Sequence, residues 1–273
     1  MINITNTSAL QTQKGRPMKL NYLSTNLLTK KNISFPETDT IDICIFSVKN
    51  FSYLSKSMNV LSAQEQEKAN SFRQEQGRMH FIASRILLRR ILSLYLCCPA
   101  KELSFQTGPH GKPYLCPHKN NFPKIHFNLS HSGEFVALAF SSASPVGIDI
   151  ETVRMKLCVE TLVRRFFHPD EYSEFLRLDE TGQKDFVFRR WTVREAFLKG
   201  IGSGLTISPD SFYIQELPSM FCIKKSQKDY SSWRIEPVPV PDSYYCSIAY
   251  QIPNSESPHR SVSDINAAYQ PPV

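Results

Sequence analysis

The sequence V-G-I-D-I-E, from Val146 to Glu151, sets the architecture of this chain. The alternation of apolar and acidic residues predicts a strand, whose successive side chains point to opposite faces. Ile148 and Ile150 then enter a core, while Asp149 and Glu151 share the open face. Two carboxylates at this spacing suit a hard cation such as Mg²⁺. An amphipathic edge strand with solvated acids has the same pattern and remains the alternative.

A second informative stretch, W-T-V-R-E-A-F-L-K-G, ends at Gly200 within a predicted helix over 183–201. Glu195 and Lys199 lie four residues apart, so they project from the same side of that helix. Glu195 is a candidate third metal ligand, and its carboxylate is also a candidate base for an attacking hydroxyl. Lys199 would lie next to phosphates. The alternative is a surface ion pair worth about 0.3 kcal/mol.

Two polar turns carry further candidates. F-N-L-S-H-S-G, from Phe127 to Gly133, predicts a strand that ends in a turn, where backbone N–H groups and His131 suit an anion. A structural histidine is the alternative, and a serine hydrolase is disfavoured because no G-x-S-x-G elbow occurs. G-P-H-G-K-P directs Lys112 to the same region, unless it is an ordinary turn with a solvated lysine.

The remaining pattern predicts two α+β halves of similar size. A buried strand is predicted over 41–46, a capping box at Ser62 and Glu65, a helix over 78–96 and a short strand over 102–105. A hinge is predicted at 141–145. The predicted organisation is a flexible extension over 1–40, subdomains over 41–143 and 144–252, and a flexible tail over 253–273.

Composition narrows the class of partner. The net charge of +7 favours an anionic partner, but the basic residues are scattered, which argues against nucleic acid. Seven cysteines without a C-x-x-C pair predict reduced thiols. The polar N-terminus has no signal-peptide core, and no stretch is long and apolar enough for a membrane span. A cytoplasmic protein without membrane contact is therefore expected.

The order of the motifs is more specific than any one of them. G-K-P, F-N-L-S-H-S-G, G-I-D-I-E, F-F-x-x-x-E-Y and W-T-x-x-E-A-F-x-K follow one another between about residues 62 and 212. This series closely resembles the surfactin-synthetase-activating (Sfp) type of 4′-phosphopantetheinyl transferase. The segment F-F-x-x-x-E-Y resembles the family's helical segment near its carrier-binding face.

The resemblance implies an α+β fold of two pseudo-twofold-related α/β subdomains, with the active site in the cleft between them. It implies a monomeric, Mg²⁺-dependent enzyme that moves 4′-phosphopantetheine from coenzyme A to a serine of apo acyl or peptidyl carrier proteins, releasing 3′,5′-ADP. The implied metal ligands are Asp149, Glu151 and Glu195, and the implied catalytic residues are Glu195, Lys199 and His131. The implied coenzyme A contacts are Lys68, Arg78, His80, Lys112, Ser130, His131 and Lys199.

Two positions depart from the family pattern. Glu65 stands where relatives have a second basic residue for the 3′-phosphate, and Arg78 and His80 are candidates to compensate. Arg194 stands where relatives often have lysine. Two other functions remain as alternatives: a metal-dependent nuclease, which also gathers acids and a lysine around Mg²⁺, and an inactive scaffold that binds acidic carrier proteins. The nuclease leaves S-H-S-G unused, and the complete acid–lysine set argues against the scaffold.

Overall fold

The computed structural model describes residues 17–23, 33–50, 57–116, 122–153 and 158–253. All of the predicted C-terminal tail except Pro253, and most of the N-terminal extension, lie outside these residues. The strands are β1 Lys19–Tyr22, β2 Thr40–Ser47, β3 Phe105–Thr107, β4 Pro113–Leu115, β5 His126–Ser132, β6 Phe135–Ser141, β7 Val146–Thr152, β8 Tyr213–Leu217, β9 Met220–Lys224, β10 Trp233–Pro237 and β11 Tyr244–Gln251. The α-helices are α1 Ala63–Asn70, α2 Glu75–Tyr95, α3 Val159–Phe166, α4 Pro169–Phe175 and α5 Glu180–Ile201.

Two larger sheets organise the described chain. The first has the order β1-β2-β6-β5, and the second has the order β7-β11-β10-β9-β8. Within them only β1 and β2 pair in parallel. β3 and β4 form a separate two-stranded sheet. β5 is an edge strand of the first sheet and β7 is an edge strand of the second. The chain passes from β6, the neighbour of β5, into β7 through a short turn, so these two sheet edges lie close together.

The two larger sheets share a hydrophobic core. Ile41 and Ile43 of β2 and Ala137 of β6 pack in one cluster with Ile148 and Ile150 of β7. Alternate side chains face the other way. On the outer side, α2 covers the first sheet and α5 covers the second. Each half thus has one long helix outside its sheet, and the two sheets meet in the centre of the molecule.

Local signals explain where the helices begin and end. Ser62 and Glu65 form the predicted capping box of α1, each bonded to the other's backbone N–H. The side chain of Asp179 accepts from the backbone of Gly182 at the start of α5. Gly202 ends α5 in the left-handed conformation, with φ +70°, which glycine adopts without steric cost.

The structure differs from the sequence expectations at short elements. Residues 100–102 form a 3₁₀ turn and β3 begins at Phe105, so the strand predicted over 102–105 is displaced. Within the predicted flexible extension, Lys19–Tyr22 form β1, because Met18 is buried in the shared core and Asn21 donates a hydrogen bond to Asp42. The subdomain boundaries stay a prediction.

No helix in the described residues has the length and hydropathy that a membrane span requires.

Candidate active site

One close contact between β7 and α5 brings the acidic residues together. A Cβ atom on Gly147 would lie 2.1 Å from the backbone oxygen of Ala196 and 2.3 Å from the backbone nitrogen of Gly200, so only glycine fits there. Gly147 shares its face of β7 with Asp149 and Glu151. The predicted open face is therefore covered by α5, and Asp149 is only 2% exposed.

Asp149 anchors a short hydrogen-bonded cluster. The Nζ atom of Lys199 lies 2.6 Å from Oδ1 of Asp149 and 3.0 Å from Oγ of Ser130. The hydroxyl of Ser130 donates to the same Oδ1 at 2.8 Å. Asp149 is buried and Lys199 is partly exposed, and the attraction between them compensates the hydration that the carboxylate loses. The cluster joins β5, β7 and α5, and it pairs Lys199, which the sequence analysis expects next to phosphates, with Asp149.

The site carries more negative charge than Lys199 compensates. Oδ2 of Asp149 is buried and accepts no hydrogen bond from the described residues. The pKa of Glu195 is raised, first by burial and then by the negative charge of Asp149, to which Glu151 adds. Carboxylate oxygens in this situation fit a divalent cation. No three His, Cys, Asp or Glu side chains in the described chain are already arranged as a metal-binding group, so the acids would have to draw together around an ion.

These side chains line a cavity of about 340 Å³ between the two halves. It is bordered by Leu129, Ser130, His131, Asp149, Glu151, Trp191, Glu195 and Lys199. A second cavity of about 350 Å³ shares Leu129, Glu195 and Lys199 with it, and extends to His110 and Lys112. Together they form a cleft large enough for an extended ligand. The 149/151 pair and residue 195 therefore line the same cavity, and their role as metal ligands stays a prediction.

Two histidines stack at the edge of the cleft. The rings of His80 and His131 lie 4.8 Å apart, and Nε2 of His80 is 2.8 Å from the backbone oxygen of Gly133. The pKa of His131 is lowered to about 4, first by desolvation of its ring and then by the nearby charges of His80 and Lys199. Although the residue as a whole is exposed, both effects favour the neutral form. His131 is therefore a neutral hydrogen-bonding group at pH 7.

Comparison with known proteins identifies the family. A profile described as the 4′-phosphopantetheinyl transferase superfamily matches residues 145–249, and one described as 4′-phosphopantetheinyl transferase, N-terminal, matches residues 50–143. The 4′-phosphopantetheinyl transferase Sfp of Bacillus subtilis strain 168 is 33% identical over 58% of this chain and 67% of that protein. The chain belongs to the 4′-phosphopantetheinyl transferase family.

Other relatives support the same assignment. The 4′-phosphopantetheinyl transferase gsp of Aneurinibacillus migulanus is 31% identical over 65% of this chain and 70% of that protein. The 4′-phosphopantetheinyl transferase HetI of Nostoc sp. strain PCC 7120 is 39% identical over 53% of this chain and 61% of that protein. The Sfp-type resemblance and the α+β fold of two transferase domains are thus confirmed.

Within this transferase, Lys112 has a bonding role that its motif did not reveal. Its Nζ atom donates to the backbone oxygens of Val146, Lys199 and Gly200, at 3.0, 2.7 and 3.0 Å. Burial lowers the pKa of Lys112 to about 8, so the ammonium form still prevails at neutral pH. All three of its N–H groups are therefore used near the C-terminal end of α5, where positive charge is favourable. Its expected contact with coenzyme A stays a prediction and requires one of these bonds to be exchanged.

Two other expected coenzyme A contacts lie apart from the cluster. Lys68 is exposed in the last turn of α1, and Arg78 lies 3.6 Å from Glu75 on the surface of α2. Neither is among the described residues that line the two cavities. Their roles toward the 3′-phosphate therefore stay predictions.

The two departures from the family pattern have structural explanations. Glu65 is buried and lies 2.5 Å from Arg85 and 2.7 Å from Arg89, while it also caps α1. Arg194 is fully buried, pairs with Glu171 and donates to the backbone oxygen of Pro209 at 2.8 Å. Both residues bind protein groups rather than facing the two cavities.

Sequence reasoning missed two residues beside the acids of this transferase. The hydroxyl of Ser132 donates to Oε2 of Glu151 at 2.8 Å, and the side chain of Trp191 lines the cavity while packing edge-on against Phe166. The signal for Ser132 was present, because it lies two residues after Ser130 just as Glu151 lies two residues after Asp149. Recognising it required knowing that β5 and β7 lie side by side.

Proposed function

We propose that this chain transfers 4′-phosphopantetheine from coenzyme A to a serine hydroxyl of apo carrier proteins and releases 3′,5′-ADP. In this step the serine oxygen bonds to the phosphorus next to pantetheine, and the bridging P–O bond of the pyrophosphate breaks. The observation that carries the proposal is the buried group of Asp149, Lys199 and Ser130 beside Glu195, in a cleft between the two transferase domains.

We propose that Glu195 accepts the proton of the attacking serine hydroxyl. Its carboxylate lines the cavity beside Asp149 and Glu151, where it can accept the proton of an attacking hydroxyl. The cavity that it lines is bounded by both halves of the molecule, so a carrier serine and a coenzyme A pyrophosphate can meet there.

We propose that Lys199 and His131 stabilise the negative charge that develops on the departing 3′,5′-ADP. The ammonium of Lys199 is held in place by Asp149 and Ser130, and a donor that is already oriented stabilises developing charge without further reorganisation. The neutral ring of His131 contributes an N–H donor.

The carboxylates of Asp149, Glu151 and Glu195 are the proposed ligands of Mg²⁺. When bound there, Mg²⁺ supplies positive charge to the pyrophosphate oxygens. The buried Oδ2 of Asp149, which accepts no hydrogen bond from the described part of the chain, supports this assignment. Coenzyme A and carrier proteins are the proposed partners, and the chain is proposed to act as a cytoplasmic monomer, in keeping with seven free cysteines.

The function is tested by mixing the chain with coenzyme A, Mg²⁺ and apo carriers from fatty-acid, polyketide and nonribosomal peptide synthesis. Intact-mass spectrometry should show a gain of one phosphopantetheine on at least one carrier, and 3′,5′-ADP should accumulate in the reaction mixture. Plasmid cleavage in place of transfer would support the nuclease alternative. Binding of carriers without any mass gain would support the scaffold.

A single substitution tests the site. Asp149→Ala should abolish transfer, because it removes both the proposed metal ligand and the partner of Lys199. Far-UV circular dichroism should be unchanged. Glu180→Ala is the control, since this exposed acid of α5 pairs with Lys184 on the surface, and it should transfer at the wild-type rate. Full turnover by Asp149→Ala would overturn the assignment.

A further inference from the structure

The two sheet edges that meet at the site are joined by side chains. Asn128, Ser130 and Ser132 are alternate residues of β5, so they point the same way, and all three are buried. Oδ1 of Asn128 accepts from the backbone nitrogen of Ile148 at 2.9 Å, and Oγ of Ser132 accepts from that of Thr152 at 3.1 Å. Positions 128 and 132 of β5 thus bond to positions 148 and 152 of β7, and the spacing is four residues on both strands. The two strands run in the same direction in a fixed register.

Ser130 and Ser132 also bond to the acidic side chains of β7. Ser130 donates to Asp149, and Ser132 donates to Oε2 of Glu151 at 2.8 Å. A hydroxyl has one proton to donate. Because the oxygen of Ser132 already accepts the N–H of Thr152, its proton is directed to the carboxylate. The side chain of Glu151 is thereby oriented from the opposite sheet.

We propose that Ser132 is a positioning residue, which holds the carboxylate of Glu151 in the orientation needed to bind the magnesium–coenzyme A complex. This inference rests on the proposed function of the site. Groups that orient metal ligands typically change metal affinity 10- to 100-fold when they are removed. Asn128 accepts the same kind of hydrogen bond from the β7 backbone and, within the described residues, bonds to no acid. Its substitution therefore distinguishes an effect on the orientation of Glu151 from an effect on the packing of the two sheets.

The test measures how the thermal midpoint of the protein rises with Mg²⁺ at a saturating concentration of coenzyme A. We expect Ser132→Ala to raise the Mg²⁺ concentration for half of this rise by about tenfold. Ser132→Thr, which keeps the hydroxyl, should restore it to within about twofold. Asn128→Ala should lower the midpoint of the unliganded protein about as much as Ser132→Ala, because each removes the side-chain acceptor of one backbone N–H of β7, but should leave the Mg²⁺ requirement unchanged.

Two results would overturn the proposal. One is a Mg²⁺ requirement of Ser132→Ala within twofold of the wild type, and the other is an equal increase in Asn128→Ala. If Ser132→Ala does not fold, Ser132→Cys preserves the volume with a weaker donor and is interpreted in the same way. Because the readout is ligand-induced stability, it is independent of carrier modification. Absence of transfer by the wild type would refute the proposed function and leave this comparison standing.

Discussion

At the scale of single residues, several charged side chains of this chain serve the fold where the family pattern suggested a ligand contact. Glu65 shows this most clearly, because burial would raise its pKa, yet Arg85, the backbone of Ser62 and Arg89 outweigh burial and hold the pKa below its usual value. A carboxyl group with a lowered pKa stabilises the folded state above the pKa of the unfolded chain. That contribution is lost as the pH falls through the folded-state pKa.

Glu65→Gln tests this role. Glutamine can still complete the capping box, so the substitution removes mainly the charge between two buried arginines. We expect a loss of about 3 kcal/mol in the free energy of unfolding at pH 7. The difference from the wild type should shrink as the pH falls below the pKa of an ordinary glutamate, about 4.3, and through the lower pKa of Glu65 in the folded state. Urea titrations between pH 3 and 7 measure it, and a loss of the same size at every pH would contradict it.

The matched control is Glu67→Gln. Glu67 is exposed on the same helix, so its substitution should change stability by less than about 0.5 kcal/mol at any of these pH values.

Arg194 is a second residue-scale test. Its guanidinium is fully buried, pairs with Glu171 and lies 4.4 Å above the centre of the Phe167 ring. Arg194→Met removes the hydrogen-bonded partner of the buried Glu171, which keeps only an ion pair with Arg190 at 3.5 Å, so we expect a loss of about 4 kcal/mol in unfolding free energy. Arg189→Met on the same helix removes half-exposed ion pairs with Asp185 and Glu216 and should lose less than about 1 kcal/mol. Equal losses in the two variants would mean that the buried pair contributes no more than a surface one.

At the scale of elements, the packing of α5 on β7 determines whether the acids meet. The backbones of Gly147 and Gly200 approach so closely that a methyl group on Gly147 has no space. The atoms that it would strike belong to backbone, which cannot rotate away. The position of Glu195 and Lys199 over Asp149 therefore depends on a glycine near the start of β7.

Gly147→Ala should separate α5 from β7. We expect a loss of about 3 kcal/mol in unfolding free energy, with transfer activity reduced more than the remaining folded fraction accounts for. Gly108→Ala is the control, because its Cβ would meet its nearest neighbour at 3.5 Å, an ordinary contact, and it should change stability by about 0.5 kcal/mol or less. Calorimetry and the mass assay measure both quantities. An unchanged stability of Gly147→Ala would show that the helix shifts without penalty.

At the scale of the whole molecule, the two halves are joined through one core. Ile43 of the first sheet and Ile148 of the second belong to the same cluster of buried residues, and Met18 before β1 joins it, 3.6 Å from the hydroxyl of Ser144. A core shared in this way predicts that both halves unfold in a single transition. The site lies between the halves, so its geometry depends on the packing of this shared core.

Ile43→Ala tests the shared core. Trp191 and Trp233 both lie in the second half, so their fluorescence reports on that half alone, while far-UV circular dichroism reports on both. We expect Ile43→Ala to reduce the unfolding free energy by about 3 kcal/mol and to shift both signals equally in urea. Ile148→Ala should behave in the same way. A tryptophan transition that stays in place in Ile43→Ala would show that the halves unfold independently.

Much of the fold and site was accessible from the sequence because it depends on local patterns. The alternation of β7, the capping box at Ser62 and the spacing of Glu195 and Lys199 each express the geometry of one element. The apolar pattern also predicts strands over 233–237 and 244–251, and β10 and β11 have these bounds. The strand β9 was not predicted, and the three-residue β3 was misplaced, because neither has a clear alternation of its own and the pairing partner determines its bounds.

The amino-acid sequence by itself determined the family, the α+β class and the identity of the acids and the lysine in the cleft, since these follow from periodicity and from the order of motifs along the chain. Only the tertiary structure decided which charges are used inside the protein: Lys112 on three carbonyl oxygens, Glu65 between two arginines, Arg194 on Glu171. It also decided that Ser132 reaches Glu151. The physical reason is that each of these bonds joins residues distant in sequence or on separate elements, and a hydrogen bond depends on distance and direction in space.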